Sequence, residues 1–129
     1  MNRFLLTILL VTLTATLAAC GGATAGSGGA AGSGAYDTDF PLPSTVSNFT
    51  KTGEEAINFQ TKMSLDETAG FFRDAFTGAG LVERTINTSV TARTFSMVFD
   101  GDPGGKAIVV QGVALGDNTT NVNLRYEDV

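Results

Sequence analysis

Fifteen consecutive positions, Gly21 to Ala35, hold only glycine, alanine, serine and threonine. A stretch of that composition carries no side chain able to build a core and reads as flexible coil, with a typical span of ~20 Å. It therefore divides the chain into an apolar N-terminal run and one segment that can fold, Tyr36 to Val129, of about ninety residues. A single core of that size supports itself without a covalent staple. None can form within the chain, since Cys20 is its sole cysteine.

The N-terminal run opens with one positive charge at Arg3 and continues from Phe4 to Ala19 without any charged residue, ending in the small pair Ala18-Ala19. This is the profile of an export signal. As a permanent membrane span it falls short of the ~20 residues needed to cross ~30 Å of hydrocarbon, and four threonines dilute it. Leu17-Ala18-Ala19-Cys20 resembles the lipobox of bacterial lipoproteins. The resemblance covers this segment alone. It implies cleavage between Ala19 and Cys20, a diacylglycerol on the Cys20 sulfur, and an acyl chain such as palmitate on its amine. At ~0.8 kcal/mol per buried methylene, two or three chains suffice to anchor a protein stably. Residues 1–19 thus read as signal, 20–35 as lipidated cysteine plus tether, and 36–129 as the domain. The expected location is the cell membrane or outer membrane, facing periplasm or exterior. Gly21 after the cysteine, in place of Asp, resembles lipoproteins passed on to an outer membrane.

Loss of Arg3 leaves 7 of the 8 basic residues against 13 acidic ones, a formal charge of −6 for the mature part. Those cations are scattered singly, so no basic stripe exists to hold phosphates, and nucleic acid is not an expected partner. The same charge gives the domain no electrostatic attraction to anionic lipid, so membrane attachment falls to the anchor.

Within the domain, Phe40-Pro41-Leu42-Pro43 predicts an extended lead-in that docks apolar groups, because proline fixes its own φ and keeps its predecessor out of the helical region. Val46–Thr50 and Ala56–Met63 predict a hairpin, the second run alternating Ile57, Phe59, Thr61 and Met63 with polar residues. Ser64-Leu65-Asp66-Glu67 is a capping box that starts a helix. Leu65, Ala69, Phe72, Phe76 and Ala79 form its apolar stripe, with Phe71 at the margin. Gly80 fits the left-handed position that ends such a helix, and Leu81 can fold back on its last turn. Four further strands follow at Leu81–Asn87, Ala92–Asp100, Lys106–Leu115 and Asn121–Glu127, separated by turn residues. Period two in Phe95, Met97 and Phe99, in Val109, Gln111 and Val113, and in Val122, Leu124 and Tyr126 predicts the faces laid on the helix. Short connections imply antiparallel neighbours. The expected fold is α+β: an antiparallel β-sheet, order of elements ββαββββ, with one amphipathic helix packed on one face.

Chemistry is sparse. There is no histidine, and the lone cysteine belongs to the anchor, which removes the commonest general base, the thiolate nucleophile and the usual zinc ligands. No cofactor is implied. Gly101 to Ala107 imitates a phosphate-binding loop, but it has one residue too few between its outer glycines, lacks the Ser/Thr after the lysine, and leads into a strand, so it reads as a tight turn. Asp100 and Asp102 form a calcium-like D-x-D pair, with Gln111 where an EF-hand needs its bidentate Glu. Three readings follow. The first is a non-enzymatic envelope domain that contacts a protein partner or the wall through its polar sheet face or through Phe71. Its layout is similar to that of small domains of outer-membrane assembly accessory lipoproteins, a likeness of layout alone. The second is a carrier of an apolar ligand between helix and sheet near Phe72, Phe76, Phe95 and Phe99. The third is an enzyme built on carboxylates such as Asp100 and Asp102, which requires a cleft containing both.

Overall fold

Ser64 starts the helix, as its sequence context predicts. In the computed structural model, which describes residues 35–129, its hydroxyl accepts from the Glu67 amide at 3.3 Å. Its own amide donates to Glu67 Oε2 at 2.8 Å, so both arms of the capping box are made. The signal run, Ala19, Cys20 and nearly all of the tether lie outside the described residues. Helix α1 runs Leu65–Gly78. It ends where Gly80 takes φ 89°: the Gly80 amide donates to the Thr77 carbonyl and the Leu81 amide to the Phe76 carbonyl, satisfying two groups the helix leaves open. Its buried face is Leu65, Thr68, Ala69, Phe72 and Phe76. Thr68 enters the core because its hydroxyl donates to the Ser64 carbonyl at 2.7 Å, while Ala79, expected on the stripe, is exposed. No helix among the described residues is long and apolar enough to cross a membrane.

Seven strands form one sheet: β1 Ser47–Thr52, β2 Ala56–Thr61, β3 Val82–Glu83, β4 Ser89–Val90, β5 Thr94–Asp100, β6 Ala107–Gly116 and β7 Thr119–Glu127. Every pairing is antiparallel, in the spatial order β1-β2-β7-β6-β5-β3, with β4 also on β5. The fold is the α+β arrangement of an antiparallel sheet with one helix against it. Two features depart from the sequence reading. Leu81–Asn87 is not one strand: after β3 the Arg84 amide donates to the Val98 carbonyl at 2.7 Å, a short 3-10 turn at Thr85–Asn87 lifts the chain away, and β4 re-engages β5. Short connections, moreover, do not make every pair of neighbours: β5, β6 and β7 run as a meander, but β2 and β7 are partners from opposite ends of the domain. Helix α1 carries the chain from β2 to the far edge, and β7 returns to pair with β2 from Ala56↔Arg125 to Thr61↔Thr120.

The core lies between α1 and one sheet face, in rows that cross the strands. Ile57, Leu124, Val110 and Met97 make one row. Phe59, Val122, Gly112 and Phe95 make the next, and the Phe95 ring lies where a Cβ on Gly112 would be. This reverses the predicted phase of β6. Ile108, Val110 and Gly112 face the helix, and Val109, Gln111 and Val113 face away. Residues 107–110 are apolar at every position, so alternation fixes no phase there, and the glycine that fits beneath an aromatic ring decides it. The lead-in behaves as expected. Phe40 and Leu42 are buried, and the Phe40 ring stacks on Tyr126 at 4.7 Å between centroids.

Candidate functional site

Since α1 packs on one sheet face, the other is the more open among the described residues, although Val109 on it is buried, and alternation along the strands decides what it shows. Thr50, Asn58, Asn123, Gln111, Ser96 and Ser89 are successive cross-strand partners, a single row over six strands that carries no ionised group. Gln60, Asn121, Val113 and Thr94 form the adjacent row. Arg125 lies across this surface. Its guanidinium donates to Gln111 at 2.9 Å, to Asn123 at 3.2 Å and to Glu127 at 2.6 Å, so its charge is spent on neighbours. Val113 and Leu115 add exposed apolar area at one end.

Several charges elsewhere are paired at the margins. Arg84 donates to Asp100 from Nε and Nη2, which holds that carboxyl pKa below its usual value. Arg73 on α1 donates to Glu83 on β3 at 2.7 and 3.2 Å, and Thr88 Oγ1 donates to the same carboxylate at 2.7 Å. Arg73 is the larger cause of the lowered Glu83 pKa, with Thr88 adding to it against the cost of burial. Lys106 pairs with Glu55, and that contact raises the lysine pKa.

The sequence candidates separate in space. Asp100 is engaged by Arg84 beside the open face, whereas Asp102 accepts from the Gly104 amide at 2.8 Å within the β5–β6 turn. Among the described residues no group of three or more His, Cys, Asp or Glu is arranged to hold a metal ion. Gly101 and Gly105 take φ 100° and 76° in that turn, the tight connection its composition suggests. Phe71 is half-buried and sets its ring edge-on to Phe72 at 5.0 Å, so most of it serves the core. Phe72, Phe95 and Phe99 are fully buried side chains of the core, and of the four rings expected around a carrier pocket Phe76 borders a cavity.

That cavity, about 320 Å³, lies between the lead-in and the C-terminal end of α1. Phe40, Leu42, Phe76, Leu81 and Ile108 line it, with Tyr126, Asp39 and Asp102. Burial, then Asp102, then Asp39 push the Tyr126 hydroxyl pKa up. Neither single-strand periodicity nor any motif points to this place, because its walls come from segments distant in the chain. A second depression of about 400 Å³, at the other end of α1, is bordered by polar residues such as Ser64, Thr91 and Asn118 and by apolar ones such as Leu65, Ala92 and Ala114. Comparison with family models, with curated proteins and with solved structures finds no match.

Proposed function

We propose that this chain is a lipid-anchored, non-enzymatic protein of a bacterial envelope, whose domain docks a protein partner through the open sheet face. The observation that carries the docking is the row from Thr50 to Ser89. Amide and hydroxyl groups both donate and accept, and burying them against a polar partner limits the cost of stripping water from ions to Arg125, whose charge is already paired with Glu127. The anchor rests on the Leu17–Cys20 segment, and the absence of histidine from the sequence supports a role without acid–base chemistry. A tether of ~20 Å would let the face turn toward a partner in the same membrane.

The test is site-specific photo-crosslinking in the native envelope, with the probe at Gln111 on the open face or at Asp66 on the exposed side of α1. One dominant adduct from Gln111 and none from Asp66 is the expected result. Equal labelling from both positions, or none from Gln111, rejects the docking surface. In parallel, Cys20→Ala is expected to move the protein from the membrane to the soluble fraction; retention on the membrane rejects the anchor.

A further inference from the structure

We propose that the cavity beside Tyr126 binds a small organic cation, an ammonium group on a compact apolar body. This site is separate from the open sheet face, and either can fail without the other. Its volume of about 320 Å³ lies at the lower end of the ~300–1,000 Å³ typical of small-molecule sites, which favours a compact ligand. The floor is apolar, from Leu42, Phe76, Leu81 and Ile108.

Three sources of negative potential converge on that apolar space. Asp39 and Asp102 both border it. The last turn of α1 also borders it, through Ala75, Phe76 and Ala79, and presents the negative end of the helix dipole with no basic residue in that turn to offset it. Among the described residues no lysine or arginine lines the cavity. Lys51 borders the adjoining depression, which Asp39, Phe40 and Tyr126 also line, and is committed there to Asp37 at 2.8 Å and Glu54 at 3.1 Å. Among the described residues Asp39 takes part in no ion pair, whereas Glu55, Glu83, Asp100 and Glu127 each have a cationic partner. Asp102 is fixed in place by the Gly104 amide at 2.8 Å, so its charge is positioned before any ligand arrives. Phe40 is buried against Tyr126, and the half-buried Tyr126 ring at the border brings the aromatic surface that favours an organic ammonium over a hydrated metal ion.

An anionic ligand meets repulsion on three sides. A zwitterionic phospholipid headgroup would bring its phosphate against Asp39 and Asp102, so the free amine is the better fit. The chemistry is recognition without a covalent step, in which the ammonium lies between the carboxylates and the body displaces water from the apolar floor.

The experiment uses the full chain and three probes that share one ring: cyclohexylammonium, cyclohexanol and cyclohexanecarboxylate. Binding is followed by amide chemical shifts in heteronuclear NMR. Cyclohexylammonium is expected to move the amides of Asp39, Phe40, Leu42, Ala79 and Tyr126 and to bind at least tenfold more tightly than cyclohexanol, with no saturable shift from the carboxylate. Asp39→Asn combined with Asp102→Asn keeps both side-chain shapes and an acceptor for Gly104. It is expected to bring the amine's affinity to that of the alcohol while leaving the alcohol unchanged. Should the double variant fail to fold, Asp39→Asn alone, at an exposed and unpaired position, is expected to weaken the amine several-fold. Equal affinity for amine and alcohol in the wild type, shifts confined to another surface, or an unaltered amine affinity in the variants would overturn the proposal. Vesicles of phosphatidylethanolamine that shift the same residues more strongly than the free amine would assign the site to lipid and overturn it likewise.

Discussion

Gly112 occupies the one position in β6 where the helix-facing row has no side chain, and the Phe95 ring of the neighbouring strand fills the space. A glycine in a strand interior ordinarily weakens it, and here the aromatic ring covering the bare backbone compensates. The pair behaves as one packing unit. Gly112→Ala sets a methyl into the ring, which is fully buried and has little room to move, so a loss of ~1–3 kcal/mol in unfolding free energy is expected from denaturant titration. An unchanged midpoint would show that the ring is free to shift. This residue also shows where the sequence stops being legible. The alternation of β2 and β7 and the two ends of α1 are written in their own residues, whereas the phase of β6 is settled by a contact with another strand. The cavity at Tyr126 was hidden for the same reason, since its carboxylates stand 63 positions apart, at Asp39 and Asp102, with nothing local to join them.

At the scale of elements, the weak join is between α1 and the short edge strand β3, a two-residue strand tied to the helix by the Arg73–Glu83 pair and by Thr88. The turn residues after Asn87 predict a break there, but the earlier departure at Arg84 is set by a bond to the Val98 carbonyl, which is distant in sequence. Because the pair lowers the Glu83 pKa, folding favours the ionised carboxylate. Its stabilisation is complete above the ordinary value near 4.5 and is lost as pH falls through the lowered folded value. Glu83→Gln is therefore expected to cost ~1–2 kcal/mol at neutral pH, for a carboxylate only 13% exposed. The difference from wild type should shrink steadily below about pH 4.5. Parallel stability curves for the two proteins from pH 7 to pH 3 would contradict this assignment.

Over the whole molecule, the sheet is strongest at its middle and thins toward the β3 and β4 edge. Strands β6 and β7 share nine paired positions and β2 and β7 six, while β3 and β4 each contribute two to β5. Amide hydrogen exchange is expected to find the slowest protons at Val110, Val122 and Leu124 and opening by orders of magnitude more often from Thr85 to Val90. Uniform protection across the sheet would disagree with this gradient. The same architecture explains the two candidate surfaces: one helix is enough to cover one face, so the other face remains for contact, and the helix end leaves a gap that the lead-in only partly fills.

The pairing of β7 with β2 also has a consequence for biosynthesis. The opening hairpin and the helix are made long before the strand that joins them to the rest, so the protein cannot consolidate piece by piece as it is synthesised. A premature stop codon before Thr119 would not yield a slightly shorter domain. It would leave two half-sheets, β1-β2 and β3 to β6, with no common seam and raw hydrogen-bonding edges, a substrate for proteases.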